Sequence, residues 1–128
     1  MKFFLLAVMA ICFSASVSAQ SPEHKKVADK KFILTSVFLA GTTVFDMETS
    51  FAAIDKCGGS CKEGNPLLRP LFNSSRPAVY AVQGAVDVGI ITWSYKLKKD
   101  GNKLWWFPPL VIGTAHAITG GFNLRFVF

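Results

Sequence analysis

The apolar residues of this chain fall in long blocks separated by short polar, basic stretches. That arrangement limits the possible folds more than any single motif does. A soluble domain interleaves apolar and charged positions at helix or strand period. A helix crossing about 30 Å of hydrocarbon instead needs about 20 mostly apolar residues in succession. With 51% hydrophobic residues in 128 positions, the blocks predict an all-α integral membrane protein, a three-helix transmembrane bundle preceded by a signal peptide. Spans are expected at residues 32–53, 77–95 and 105–124, within one transmembrane domain over 32–125. The net charge of +6 then belongs to loop lysines near anionic headgroups. No basic patch interleaved with aromatics offers a base-stacking platform, so the expected partner is the bilayer and not nucleic acid.

Residues 1–19 carry one lysine, an apolar core and a small-residue tail, Val17-Ser18-Ala19. This reads as a signal peptide cleaved before Gln20; the alternative is an uncleaved first span. Residues 20–31 form a polar, basic lead-in. In the first span Thr35, Thr42, Asp46 and Thr49 share one helical face. An ionisable group at the centre of a span costs about 2.5–3.5 kcal/mol and normally faces protein or water, which singles out Asp46. Glu48 lies off that stripe, nearer the membrane edge, and can reach water.

Gly58, Gly59, Gly64, Asn65-Pro66 and Pro70 forbid a continuous helix between the first two spans. Cys57 and Cys61 can pair as a disulfide if this loop faces an oxidising compartment, or remain thiols otherwise. No Cys or His follows at ligand spacing, so a metal is not expected. In the second span Pro77 suits a first turn. Ala81, Ala85 and Gly89 form a small-residue ridge of the kind that lets helices approach closely, and Gln83 and Asp87 lie on an adjacent face. Residues 96–103 turn at Asp100-Gly101. Trp105-Trp106-Phe107 make an interfacial aromatic belt, and Pro108-Pro109 fall in an opening turn. In the third span His116, Thr119 and Asn123 share a face, and Gly113, Ala117 and Gly121 form a second ridge.

Spans joined by short loops are antiparallel neighbours. Counted inward from the cysteine-loop side, Asp46, Gln83 and His116 fall at a common depth of about 9–12 Å. Asp87 lies slightly deeper and Asn123 near the surface, below the loop residues Glu63, Asn65, Pro66 and Arg69. The expected cluster is either a half-buried polar pocket or a set of bonds holding helices together. Orientation is left in conflict. Lys25, Lys26, Lys30, Lys31, Lys96, Lys98, Lys99 and Lys103 outnumber Lys56, Lys62, Arg69, Arg76 and Arg125, which puts the cysteine loop outside. A cleaved signal puts it inside.

Asp46 and Thr49 ending a first span, then Glu63, Asn65, Pro66, Leu67 and Arg69 in a loop, then a second span closing on Lys96, together resemble the bacterial DUF5658 membrane proteins. The likeness extends over residues 32–125 and includes Phe122-Asn123-Leu124-Arg125. It implies a small helical protein of a bacterial inner membrane. That family is uncharacterised, so the resemblance supplies no reaction.

Two functions are compatible with these residues. One is a protein that packs against or modulates a membrane partner, or a second copy of itself. The other is a membrane-embedded enzyme or proton-coupled component using Asp46, Asp87 and His116 as acid–base groups. No Ser-His-Asp order, metal motif or phosphate loop names a reaction, and no cofactor is expected.

Overall fold

The computed structural model describes residues 26–58, 69–72 and 75–128. Residues 1–19, expected as a signal peptide, the first half of the lead-in, and Cys61, Glu63, Asn65 and Pro66 lie outside the described residues. Within them the chain is all-helical: α1 (Lys30–Lys56), α2 (Arg69–Phe72), α3 (Arg76–Lys99) and α4 (Phe107–Val127).

Local chemistry explains where each helix departs from the boundaries expected from hydropathy. α1 starts early because the Asp29 carboxylate accepts the Phe32 N–H at 2.9 Å, a side-chain N-cap. α3 starts under a Ser75 cap that accepts from the Ala78 N–H at 3.3 Å, with Pro77 in its first turn. It runs past Tyr95 to Lys99, because Lys96, Lys98 and Lys99 complement the negative end of the helix dipole. Asp100 and Gly101, the latter at φ 76°, then turn the chain. α4 begins at Phe107 and not at Trp105. The helical partner of the Trp105 carbonyl would be the nitrogen of Pro109, which carries no hydrogen. That carbonyl instead accepts from the Ser94 hydroxyl at 2.6 Å, which ties the aromatic turn to α3. The short α2 was not expected from the sequence. Pro70 suits its opening turn, and Leu71 and Phe72 pack on a small core of Met47, Phe51 and Val79.

Contacts along the bundle set its register. Phe32 meets the Trp105 ring at 6.0 Å, Asp46 meets His116, and Lys56 donates to the Val127 carbonyl, so α1 and α4 run parallel. Lys98 pairs with Asp29 at one end and Arg76 with Asp55 at the other, so α3 is antiparallel to both. α1 and α4 are the closest pair. Gly113 lies against Phe38 and Gly120 against Phe45. The glycines that permit this approach are therefore seven apart, the spacing that keeps one seam facing a nearly parallel partner. Gly121, expected in that ridge, faces open space. The Ala81-Ala85-Gly89 ridge also points away from the other helices, because α3 turns Val79, Asp87 and Ser94 inward.

Burial is inverted relative to a soluble bundle. The buried hydrophobic residues are few: Phe32, Leu39, Met47, Phe51, Ala53 and Val79. Thr43, Thr49, Ser50, Asp87 and Ser94 are buried with them, while Leu34, Val37, Val44, Val86, Val88, Ile118 and Phe122 are exposed. One described helix, α1, is long and apolar enough to cross a membrane by length and composition. α3, with Gln83 and Asp87 in its middle, is the least apolar of the three long helices.

Asp29 joins two elements and titrates as it does so. Its bond from the Lys98 ammonium, then that from the Phe32 N–H, hold its carboxyl below the ordinary value of 3.8. A depressed value adds stability that is present above the free carboxyl's value and lost as pH falls through the folded one. Asp29→Asn keeps an N-cap but discards the charge. In detergent it should melt below wild type at neutral pH and with it in acid. A gap that persists in acid would exclude the Lys98 pair as the cause.

Candidate functional site

Past the middle of α1, Asp46 points toward α4. Its Oδ2 accepts from His116 Nδ1 at 2.7 Å, and both side chains are largely buried, at 15% and 18% exposure. On the far side of the ring, His116 Nε2 lies 3.3 Å from Gln83 Nε2 on α3. Asp46 Oδ1 is 3.4 Å from the Asn123 amide nitrogen, which also donates to Ser50 Oγ at 2.8 Å. A continuous polar chain thus links all three long helices: Ser50, Asn123, Asp46, His116, Gln83.

Helical spacing assembles this chain. Asp46 and Ser50 are one turn apart on α1, and His116 and Asn123 are two turns apart on α4, so each pair projects the same way. The hydrogen bonds also assign the tautomer. A carboxylate only accepts, so His116 carries its proton on Nδ1, and Nε2 is left to accept from the Gln83 amide. Every member therefore has a partner. An Asp–His pair of this kind orients Nε2 as a base in acyl-transfer enzymes. Here Gln83 occupies Nε2, and no hydroxyl or thiol is bonded to it.

The expected cluster residues divide into two groups. Asp46, Gln83, His116 and Asn123 are joined directly. Asp87 is buried one turn from Gln83, beside Thr43 of α1 and within electrostatic reach of His116. Asp87 Oδ1 and Thr43 Oγ1 are both buried and lie close together without meeting in a well-formed hydrogen bond. The threonine stripe does not join the cluster. Thr35, Thr42, Thr49 and Thr119 bond back to carbonyls of their own helices, a usual resting place for a helical hydroxyl. Ser50 and Thr43 were missed from the sequence, although they lie four residues after and three before Asp46 on its own face.

At the loop end, Glu48 reaches outward, as its place off the stripe implied. It accepts from the Tyr80 hydroxyl and lies 3.9 Å from Arg76. Arg76 also pairs with Asp55 at 2.9 Å and covers the Phe51 ring. Arg69 opens α2 at the surface. Cys57 is disulfide-bonded; Cys61 and the rest of the Glu63-Asn65-Pro66 motif lie outside the described residues. Among the described residues, no group of three His, Cys, Asp or Glu converges as a metal site would require.

No family model matches the chain, and no curated protein or solved structure is significantly similar to it.

Proposed function

We propose that this chain is a small polytopic membrane protein, with α1, α3 and α4 all crossing the bilayer, and that it acts by packing against a membrane partner. The inverted burial carries this reading: valine, leucine and phenylalanine side chains face outward while hydroxyls, amides and carboxyls face inward. Such a surface suits hydrocarbon and is costly in water. The open Ala81-Ala85-Gly89 ridge adds a face that a further helix can approach closely. The closed Asp46–His116–Gln83 chain supports a role in holding helices together, because no ring nitrogen is left over for chemistry. The disulfide at Cys57 and the lysine-rich opposite face together favour an exported cysteine loop.

The test is purification from alkali-washed membranes in native lipid after crosslinking. The expected result is retention in the membrane with a stoichiometric partner or second copy. An impermeant maleimide should reach Cys57 on intact cells only after reduction. Release by alkali, or an isolated monomer holding a bound small molecule, would count against this function. One observation favours the second reading, a proton-coupled component: Asp87 is buried with an unsatisfied carboxyl oxygen, which is a poor use of a carboxyl if it served only as glue.

A further inference from the structure

Asp87 and Thr43 stand apart from the satisfied chain. They face each other across the contact between α1 and α3, 7% and 2% exposed, and their inward oxygens are the two buried side-chain atoms without a partner among the described residues. Thr43 can offer this carboxyl one hydroxyl proton, and one hydroxyl alone compensates a buried carboxylate poorly. A carboxylic acid has one O–H to give, and a small side-chain rotation would deliver it to Thr43 Oγ1.

The surrounding charges argue the same way. Thr43 faces Asp87 from α1, and His116, itself bonded to Asp46, lies within electrostatic reach of it from α4. Gln83, one turn earlier on α3, is neutral. A proton on Asp87 removes one negative charge from this low-dielectric interior. Gln83 accommodates either state of His116, because its amide can donate to a bare Nε2 or present its oxygen to a protonated one.

We propose that Asp87 is a proton-binding site of the bundle, which takes up one proton beside Thr43 and releases it within reach of His116. This rests on the membrane-bundle reading above and goes beyond it by giving the bundle a titrating group. Transfer is a simple exchange: the carboxyl O–H breaks, a bond forms to an entering water, and no oxidant or leaving group is involved.

The test is labelling with dicyclohexylcarbodiimide, an apolar reagent that enters bilayers and reacts with the acid form of a carboxyl. The O–H adds across one C=N bond, oxygen to carbon and proton to nitrogen. The acyl group then moves from oxygen to nitrogen, leaving a stable adduct with nothing expelled. The full chain is reconstituted in phosphatidylcholine vesicles, labelled across a pH series, and mapped by peptide mass. The expected result is an adduct at Asp87 that declines as pH rises, disappears in Asp87→Asn and persists in Asp46→Asn. Because the map locates the adduct in wild type, the proposal stays testable even if Asp87→Asn fails to fold. Protein that stays in the vesicles through an alkaline wash but never labels at Asp87, or labels there independently of pH, overturns this proposal and leaves the bundle intact. Protein that washes off overturns the bundle reading itself.

Discussion

Asp46→Leu and His116→Leu should each lower the unfolding midpoint in detergent, and the double variant should lose less than the two losses added. Each single change strands the other member of a 2.7 Å bond in a largely buried setting. An unsatisfied buried donor or acceptor costs about 1–3 kcal/mol, and more when charged. Asp46 has further partners in Asn123, and through it Ser50, so its loss should be the larger. Coupling between polar groups on packed membrane helices averages about 0.6 kcal/mol and reaches about 1.7. The cycle should fall at the upper end of that range, because the bond is short and charge-assisted. Asp46→Asn should be milder than Asp46→Leu, since an amide oxygen still accepts from Nδ1. Strict additivity would mean that the two side chains do not touch. Such a cycle also bears on function. If the cluster is only structural, stability and cellular phenotype should fall together across the set. Loss of phenotype with stability retained in Asp46→Asn would instead implicate its charge.

Much of this arrangement can be read from spacing, and the unread parts have identifiable causes. Helix type follows from the apolar blocks, and the meeting of Asp46, Gln83 and His116 follows from depth in an antiparallel hairpin. The hydrogen bonds of Ser50 lie on the same face as Asp46 and were open to the same argument. Serine, however, is at home on its own helix backbone, so its sequence gives no sign that it bonds elsewhere. Thr35, Thr42 and Thr49 illustrate the point in reverse: their shared face looks like a polar stripe, yet each hydroxyl is spent on its own helix. The helix ends depended on caps and not on hydropathy, as Asp29, Ser75 and the Trp105 carbonyl each demonstrate. The packing ridges were the least legible. Four-residue spacing identifies candidate faces, but which face meets a neighbour depends on where α1 lies, and single-helix periodicity does not contain that.

Gly120 and Gly121 should therefore respond to substitution in opposite directions. A Cβ at Gly120 would lie 2.6 Å from the Phe45 ring and 3.1 Å from the Asp46 Cα, whereas one at Gly121 would meet nothing within 4 Å. The Phe45 ring is partly exposed and can swing aside, so Gly120→Ala should be tolerated with a moderate loss. The α1 backbone at Asp46 cannot move so easily. A bulkier Gly120→Leu should push α4 away, with an overpacking cost of about 1–3 kcal/mol. It should also cost the polar chain. Gly120 lies one turn from both His116 and Asn123 on the face toward Asp46, so close approach there is what lets those two side chains reach the carboxylate. Gly121→Ala should instead stabilise by up to about 1 kcal/mol, since alanine restricts the unfolded chain and favours helix. Thermal unfolding of the two variants in the same detergent gives the comparison directly. Equal losses at both positions would mean that α4 is rotated about its axis from the placement described, and that the Asp46 contacts do not depend on the glycine seam.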